Sequence, residues 1–284
     1  MENCSLPLEY SKINDEIHQR AVKELNETTE NRIQCLKELK EMIKCEKNLE
    51  SDMSDNFLLQ FLRVKKFDTD RAFSLLKKYY GHRMYYKSLY KKFSPTNISK
   101  VLETNMMNFL PWRNPEGSAV WVSRVGLWEP EHASFDEIVR CGLICNEKAL
   151  QNPVTQICGI VSIVDFKKFS WSHLFHISPT AINCFVSASQ NCFPIRHKAI
   201  HVVNNPGVFT VLFAMIKPLL KEKIKKRIYF HGDNMSSLHE YLPPDILPKE
   251  YGGTRGKFEN SKFFDSLMES ENEFIHNSKF GYRD

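Results

Sequence analysis

The hardest stretch of this chain to place in an ordinary soluble fold is residues 193–232, FPIRHKAIHVVNNPGVFTVLFAMIKPLLKEKIKKRIYFHG. A short apolar strand, Ala199 to Val203, is broken by Asn204, Asn205, Pro206 and Gly207. Val208 to Ile216 is then apolar at nearly every position, Pro218 interrupts it, and a basic run follows: Lys221, Lys223, Lys225, Lys226 and Arg227. A second short strand, Ile228 to Phe230, closes the unit. Strand, helix, strand is the pattern of a right-handed crossover in a parallel sheet. The helix is apolar all round. Phe209, Leu212, Phe213 and Ile216 make one face, and Val208, Val211 and Met215 make the other apolar as well. Such a helix is either buried or in contact with lipid, and this one is far below the ~20 residues that span a bilayer. Two readings stand: a core helix between a sheet and a neighbour, or a lid with one face over an apolar cavity and the other able to enter a membrane surface.

The rest of the chain supplies enough apolar residues for a packed core, 42% of 284, in one large domain or two ordinary ones. A net charge of +5 is too mild to imply nucleic acid, so the placement of the cations matters more than their number. Eight cysteines with no CxxC pair read as reduced core residues. The polar N-terminus lacks a signal-peptide core, and no stretch reaches membrane-spanning length. A cytoplasmic protein is expected, with the sequons at Asn26, Asn97 and Asn234 unused.

Residues 1–29 read as a polar segment, loosely ordered at its start. An all-helical unit is expected over 30–96. One helix begins at Arg32 with a stripe of Ile33, Leu36, Leu39, Met42 and Ile43. A second follows the N-cap Ser54 to about Val64, and a third runs from Asp68 towards Leu89. Over 97–256 the pattern turns mixed: strands at 107–112 and 120–125, a helix from Phe135 to Leu150, a doubly covered strand GIVSIVDF at 159–166, and a helix over 179–192. Residues 242–253, LPPDILPKEYGG, form an ordered turn. Residues 257–284 look like an appended tail.

Catalytic signatures are missing: no GxSxG, GxGxxG, P-loop or HExxH. His173 and His176 have no further ligand at metal spacing. His231 and Asp233 flank Gly232 at a strand end, with no nucleophile nearby in sequence. The basic run reads either as a solvated helix end or as a site for an anionic surface or phosphorylated headgroup. At a membrane each cation is worth about 1 kcal/mol. A nucleic-acid surface would need exposed aromatics interleaved with the charge, which this chain lacks.

Four segments, NFLLQFLRVKKFD (56–68), GIVSIVDF (159–166), residues 193–232 and ILPKEYGG (246–253), resemble in order and spacing the CRAL-TRIO lipid-binding family, in its branch of tocopherol transfer, retinaldehyde-binding and clavesin proteins. The resemblance implies a three-helix N-terminal unit on an α/β sandwich with a mainly parallel sheet. It also implies an internal hydrophobic pocket under a mobile helix, here Val208 to about Leu220. Phosphoinositide contacts carry over to Arg196, Lys198, Lys223 and Arg227, with Arg63 nearby. The pocket carries over to Ile160, Val164 and Ile200 on the sheet, and to Ile182, Phe185, Ala188, Ser189 and Phe193 on the helix before it. Leu212, Met215 and Leu220 complete it from the lid. Where the tocopherol carrier has two serines, this chain has Gly142 and Asn146. Phe209, Leu212, Phe213 and Ile216 are expected as the lid's membrane face. The expectation is therefore a non-enzymatic, monomeric carrier of a small hydrophobic ligand. It would need no cofactor or metal and have no nucleic-acid partner, and it would dock transiently on phosphoinositide-containing membranes. The alternatives are a regulatory module of the same fold that carries nothing, and a lipid hydrolase.

Overall fold

The computed structural model describes residues 14–259 and 261–283. The chain opens with α1 (Asp15–Leu25), capped by the Asn14 side chain and closed by Asn26 in the left-handed conformation. The later part of the polar segment is thus a packed helix: Ala21 and Leu25 pack with Ile17 on Val154, Ile157 and Cys158, forming a small apolar cluster of their own. Residues 1–13 of that expected segment, with Cys4, lie outside the described residues.

The helical unit comprises α2 (Thr29–Cys45), the short strand β1 (Leu49–Glu50), α3 (Asp55–Val64), α4 (Thr69–Tyr85), α5 (Lys87–Tyr90) and α6 (Ser99–Glu103). Thr28 and Asp68 cap α2 and α4 with their side chains. A five-stranded sheet follows, in the order β2 (Met107–Phe109), β3 (Ala119–Arg124), β4 (Ile160–Asp165), β5 (His197–Val203), β6 (Ile228–Gly232). β2 is antiparallel to β3 and every other pair is parallel, so the fold is mixed α/β with a mainly parallel sheet. The crossovers are α7 (Phe135–Leu150) with α8 (Pro153–Cys158), α9 (Trp171–Phe175) with α10 (Pro179–Ser187), and α11 (Phe209–Ile216) with α12 (Glu222–Lys225). A Ser134–Glu137 capping box fixes the start of α7. The expected helix 179–192 is α-helical only to Ser187 and ends in a π turn over Ala188–Cys192.

Period-two alternation divides the sheet's side chains between two cores. Ile160, Val164, Ile200, Val202 and Ile228 join the main core, with α10, α11 and the N-terminal helices. Val120, Val122, Val161, Ile163 and Val203 face a second core closed by Leu238 and Leu242, at and just beyond α13 (Met235–His239), and by Ile246 and Tyr251 of the Pro-rich turn. The residues expected as a tail are integral. α14 (Ser261–Met268), α15 (Glu271–Asn277) and β7 (Gly281–Tyr282) bring Phe263, Leu267 and Phe274 into the main core, and β7 pairs with β1.

Candidate functional site

The sheet face under α11 is apolar and incompletely covered. Ile160 is buried, but Val164 and Ile200 are only partly buried although both lie on inner strands. Facing them, Ile182 and Ala188 are buried, while Phe185 is 40% exposed. A Cβ added at Gly142 would lie 3.7 Å from the Phe185 ring, so α7 and α10 meet where the resemblance places the ligand's polar end. There the Asn146 amide donates to the Gly142 carbonyl at 2.7 Å, and Ser189 Oγ donates to the Val186 carbonyl at 3.1 Å. Phe193 is turned towards the helical unit, edge-on to Tyr79 at 5.4 Å.

Two ring pairs join α11 to the strand side: Phe209 lies 4.6 Å from Phe166 and both are buried, whereas Phe213 lies 5.1 Å from Phe230, which is 49% exposed. A hollow of about 90 Å³ lies elsewhere, between Tyr79, Arg83, Glu147, Phe193 and Phe274.

α11 stops at Ile216 and tightens into a 3-10 turn over Lys217–Leu219, because Pro218 has no N–H to continue the helix. Its two apolar faces divide. Phe209 and Leu212 are buried, Phe213 and Ile216 are partly buried, and Val211, Met215 and Leu219 are 41%, 45% and 39% exposed. Phe209 and Leu212 are buried, which agrees with the place expected for Leu212 in the pocket and not with the outer face expected for both, and Met215, expected in the pocket, is 45% exposed. Two exposed aromatics were not anticipated: Trp171 (53%) and Phe175 (79%) on α9, with rings 6.4 Å apart. The sequence contained a signal for them, two large rings four residues apart with no apolar stripe of their own. A chain of tilted and edge-on ring contacts from Phe209 through Phe166 and Phe169 to His173 ties α9 to α11.

The expected cations separate into two kinds. Arg63 is buried, 1% exposed. Its Nε and Nη2 donate to the two carboxylate oxygens of Glu27 at 2.8 and 2.6 Å, and its Nη1 donates to Gln156 at 2.5 Å. It is a buried ion pair closed off from solvent, which does not fit the headgroup contact expected of it. Of the other four, Arg227 and Arg196 lie close enough to Lys223 for their charges to act on it, and Lys198 shares a carboxylate with Arg196. Burial, and after it the neighbouring charges of Arg227, Lys66, Arg196 and Arg71, hold the Lys223 ammonium below the usual lysine range. Burial and then Arg71, Lys78, Lys221 and Lys223 do the same for Lys65. Lys65, Lys66, Arg71, Lys78 and Lys221 therefore extend the basic surface onto the helical unit, through the KK pair that follows Arg63. Arg196 and Lys198 already contact the Glu24 carboxylate of α1, at 3.0 and 3.6 Å. Arg227 donates to the His197 carbonyl.

On the opposite sheet face, His201 Nδ1 and His231 Nε2 share a hydrogen bond of 3.0 Å, and His231 Nδ1 lies 2.8 Å from Ser237 Oγ. This serine–histidine contact is roofed by Tyr229 and Tyr241. The Ser237 N–H, a candidate oxyanion donor, is committed to Asn234. Among the described residues no group of three or more His, Cys, Asp or Glu is placed to hold a metal, and no helix is long and apolar enough to cross a membrane.

The CRAL/TRIO domain family profile matches residues 103–253. The chain is 38% identical over 264 residues to alpha-tocopherol transfer protein-like of Homo sapiens, covering 93% of this chain and 77% of that one. It is 30% identical over 276 residues to Clavesin-1 of Xenopus laevis, covering 95% and 83%. The crystal structure of Sfh5 superposes with a TM-score of 0.54 at 15% identity, over 94% of this chain and 99% of that one, a likeness of fold alone. By sequence match and architecture together, the chain belongs to the CRAL/TRIO domain family.

Proposed function

We propose that this protein holds a small hydrophobic ligand between the β4–β5 face and α10–α11 and transfers it between membranes. It would dock through Lys223, Arg227, Arg196, Lys198 and their lysine neighbours at a phosphoinositide headgroup. The observation that carries the reading is the two-sided helix: Val211, Met215 and Leu219 are exposed on one side of α11, while Phe209 and Leu212 are buried on the other, Phe209 against the Phe166 ring. The transfer activity named for the relatives agrees with it. A carrier must avoid exposing its cargo. Moving roughly 15 methylenes into water costs about 12 kcal/mol, at ~0.8 each, so release must occur against lipid. Gly142 offers no side-chain partner, and one Asn146 N–H is committed to its own helix. The remaining polar capacity suits a ligand with a single hydroxyl or carbonyl.

A second reading, a headgroup-binding regulatory module that carries nothing, is favoured by the direct packing of the buried Phe209 ring of α11 on the buried Phe166 ring. Native mass spectrometry of protein purified from its own cells separates the two. The carrier reading expects a co-purified apolar molecule. A well-folded protein that is always empty, and stays empty after incubation with lipid extract, would sink it.

A further inference from the structure

The cations assigned above to a phosphate group are not idle in the closed protein. Arg196 Nη2 and Lys198 Nζ, at the entry to β5, both contact Glu24 Oε2, at 3.0 and 3.6 Å, and Arg20 Nε lies 3.9 Å from the other oxygen of the same carboxylate. Three cations from two elements converge on one carboxylate. A carboxylate and a phosphate present the same chemistry to a guanidinium: charged acceptor oxygens within hydrogen-bond reach. Partial burial pushes Glu24 up, but the Arg196 hydrogen bond and the charges of Lys198, Arg196 and Arg20 together outweigh it and hold the carboxyl below its usual range.

α1, which carries Glu24, is joined to the molecule by its own small apolar cluster and not by the main core. Its other polar ties include Arg20 donating to the Glu116 carbonyl and to Cys158 Sγ, at 3.9 Å, and the Glu27–Arg63 pair just beyond its end. An element docked through a separate small cluster and a few polar contacts is one that opens locally, without global unfolding.

We propose that Glu24 is a built-in competitor. Its carboxylate fills the Arg196–Lys198 anion site in the closed protein, a phosphate group must displace it to bind there, and the displacement loosens α1. The inference rests on the headgroup reading and adds its regulation. Among the described residues, Lys65, Lys66, Lys221 and Lys223 form no ion pair with a carboxylate, so an incoming anion meets them first and Arg196 and Lys198 second. The occupant is a lipid headgroup; free inositol phosphate shares its chemistry.

The test compares wild type, Glu24→Gln, the Lys223→Glu/Arg227→Glu double variant and the charge-matched control Glu131→Gln. Glu131 is exposed and lies on the loop before α7. Binding is measured to phosphatidylcholine vesicles with and without a bisphosphorylated phosphoinositide, and to a soluble inositol phosphate. Glu24→Gln should bind about fivefold more tightly than wild type, the scale of one partly exposed ion pair, with Glu131→Gln unchanged. Equal binding by Glu24→Gln and wild type, with binding lost in the double variant, overturns the competitor and leaves the headgroup reading standing. Binding unaffected by either change overturns both. Tightening for the soluble phosphate alone overturns the lipid source. Independently, soluble inositol phosphate should speed amide exchange over Ala21–Leu25 in wild type, and unchanged or slower exchange there overturns the displacement.

Discussion

Arg63 distinguishes a structural ion pair from a headgroup ligand. Its guanidinium makes three charge-assisted hydrogen bonds, two to Glu27 and one to Gln156, and both members of the pair are nearly inaccessible, at 1% and 5%. Replacing it with Met leaves Glu27 a buried anion with only Arg32, at 3.8 Å and half exposed, to offset it. It also leaves the Gln156 oxygen without that donor. Breaking a buried pair from one side costs about 3–5 kcal/mol. With a urea slope of about 2 kcal/mol per molar, the unfolding midpoint should fall by about 1.5–2.5 M. Glu27→Met should cost a similar amount. The double variant, which leaves no unpaired charge, should recover at least about 2 kcal/mol of the summed losses. Folded Arg63→Met protein should still bind phosphoinositide vesicles as wild type does. A single-variant loss under about 1 kcal/mol, or additive losses in the double variant, would refute the buried-pair argument. Vesicle binding that falls as far as in Lys223→Glu/Arg227→Glu would put Arg63 back at the headgroup.

Three further outcomes are expected. Trp171→Ala/Phe175→Ala removes two exposed rings worth about 1–2 kcal/mol each at a lipid surface, so partitioning onto phosphatidylcholine vesicles should fall about tenfold or more with stability unchanged; equal partitioning would take α9 out of the docking face. Gly159 adopts φ +82°, and a Cβ there would lie 2.3 Å from the Arg196 carbonyl, which accepts from Ile160 N–H at 2.9 Å; Gly159→Ala should cost about 2–4 kcal/mol in denaturant unfolding and disturb the position of Arg196. Burial lowers His82 to about 4, and its neutral ring is fully used between the Tyr90 hydroxyl and the Cys184 carbonyl. Because the unfolded chain binds the proton first, this histidine's contribution is complete above pH ~6.5 and is lost as pH falls towards ~4, at up to about 1.4 kcal/mol per unit; unfolding midpoints across that range should flatten in His82→Gln, and an unchanged slope would remove His82 as the cause.

The sequence was most legible where local signals agree with tertiary demand. The capping box of α7 and the β-branched run of β4 each specify their element within a few residues. It was least legible where a partner lies far along the chain. The role of Arg63 depends on Glu27, 36 positions away, and on Gln156, 93 positions away. α1 carries Ile17, Ala21 and Leu25 at four-residue spacing between two asparagine caps, a signal masked by its polar composition. The scattered phenylalanines of 257–284 read as tail residues because the cores they enter are assembled from the rest of the chain. An all-round apolar helix has no polar side to mark its outside, so the inward turn of Phe209 and Leu212 and the outward turn of Met215 could not be chosen from periodicity.

The two faces of the sheet differ in what holds them shut, and the difference bears on the proposed mechanism. On the closed side, Asp165 is buried and accepts from Tyr251 Oη at 3.1 Å, Asn204 Nδ2 at 2.8 Å and the Lys167 N–H at 2.8 Å, which fastens the Pro-rich turn to β4. On the lid side the hold is largely apolar, through Phe209, Leu212 and the rings beneath them. Lifting α11 in water would expose those two side chains, at roughly 1.5–3 kcal/mol each, or about 3–6 kcal/mol together. The open state in water would then hold about one molecule in 10² to 10⁴. At a bilayer the inward residues exchange one apolar environment for another, and Val211, Met215 and Leu219 gain one, so most of that penalty disappears. A helix polar on its outer side would lack this gain, and one polar on its inner side would not close over an apolar ligand. On the proposed mechanism, apolar character on both faces is what lets contact with lipid, and not contact with water, open the lid.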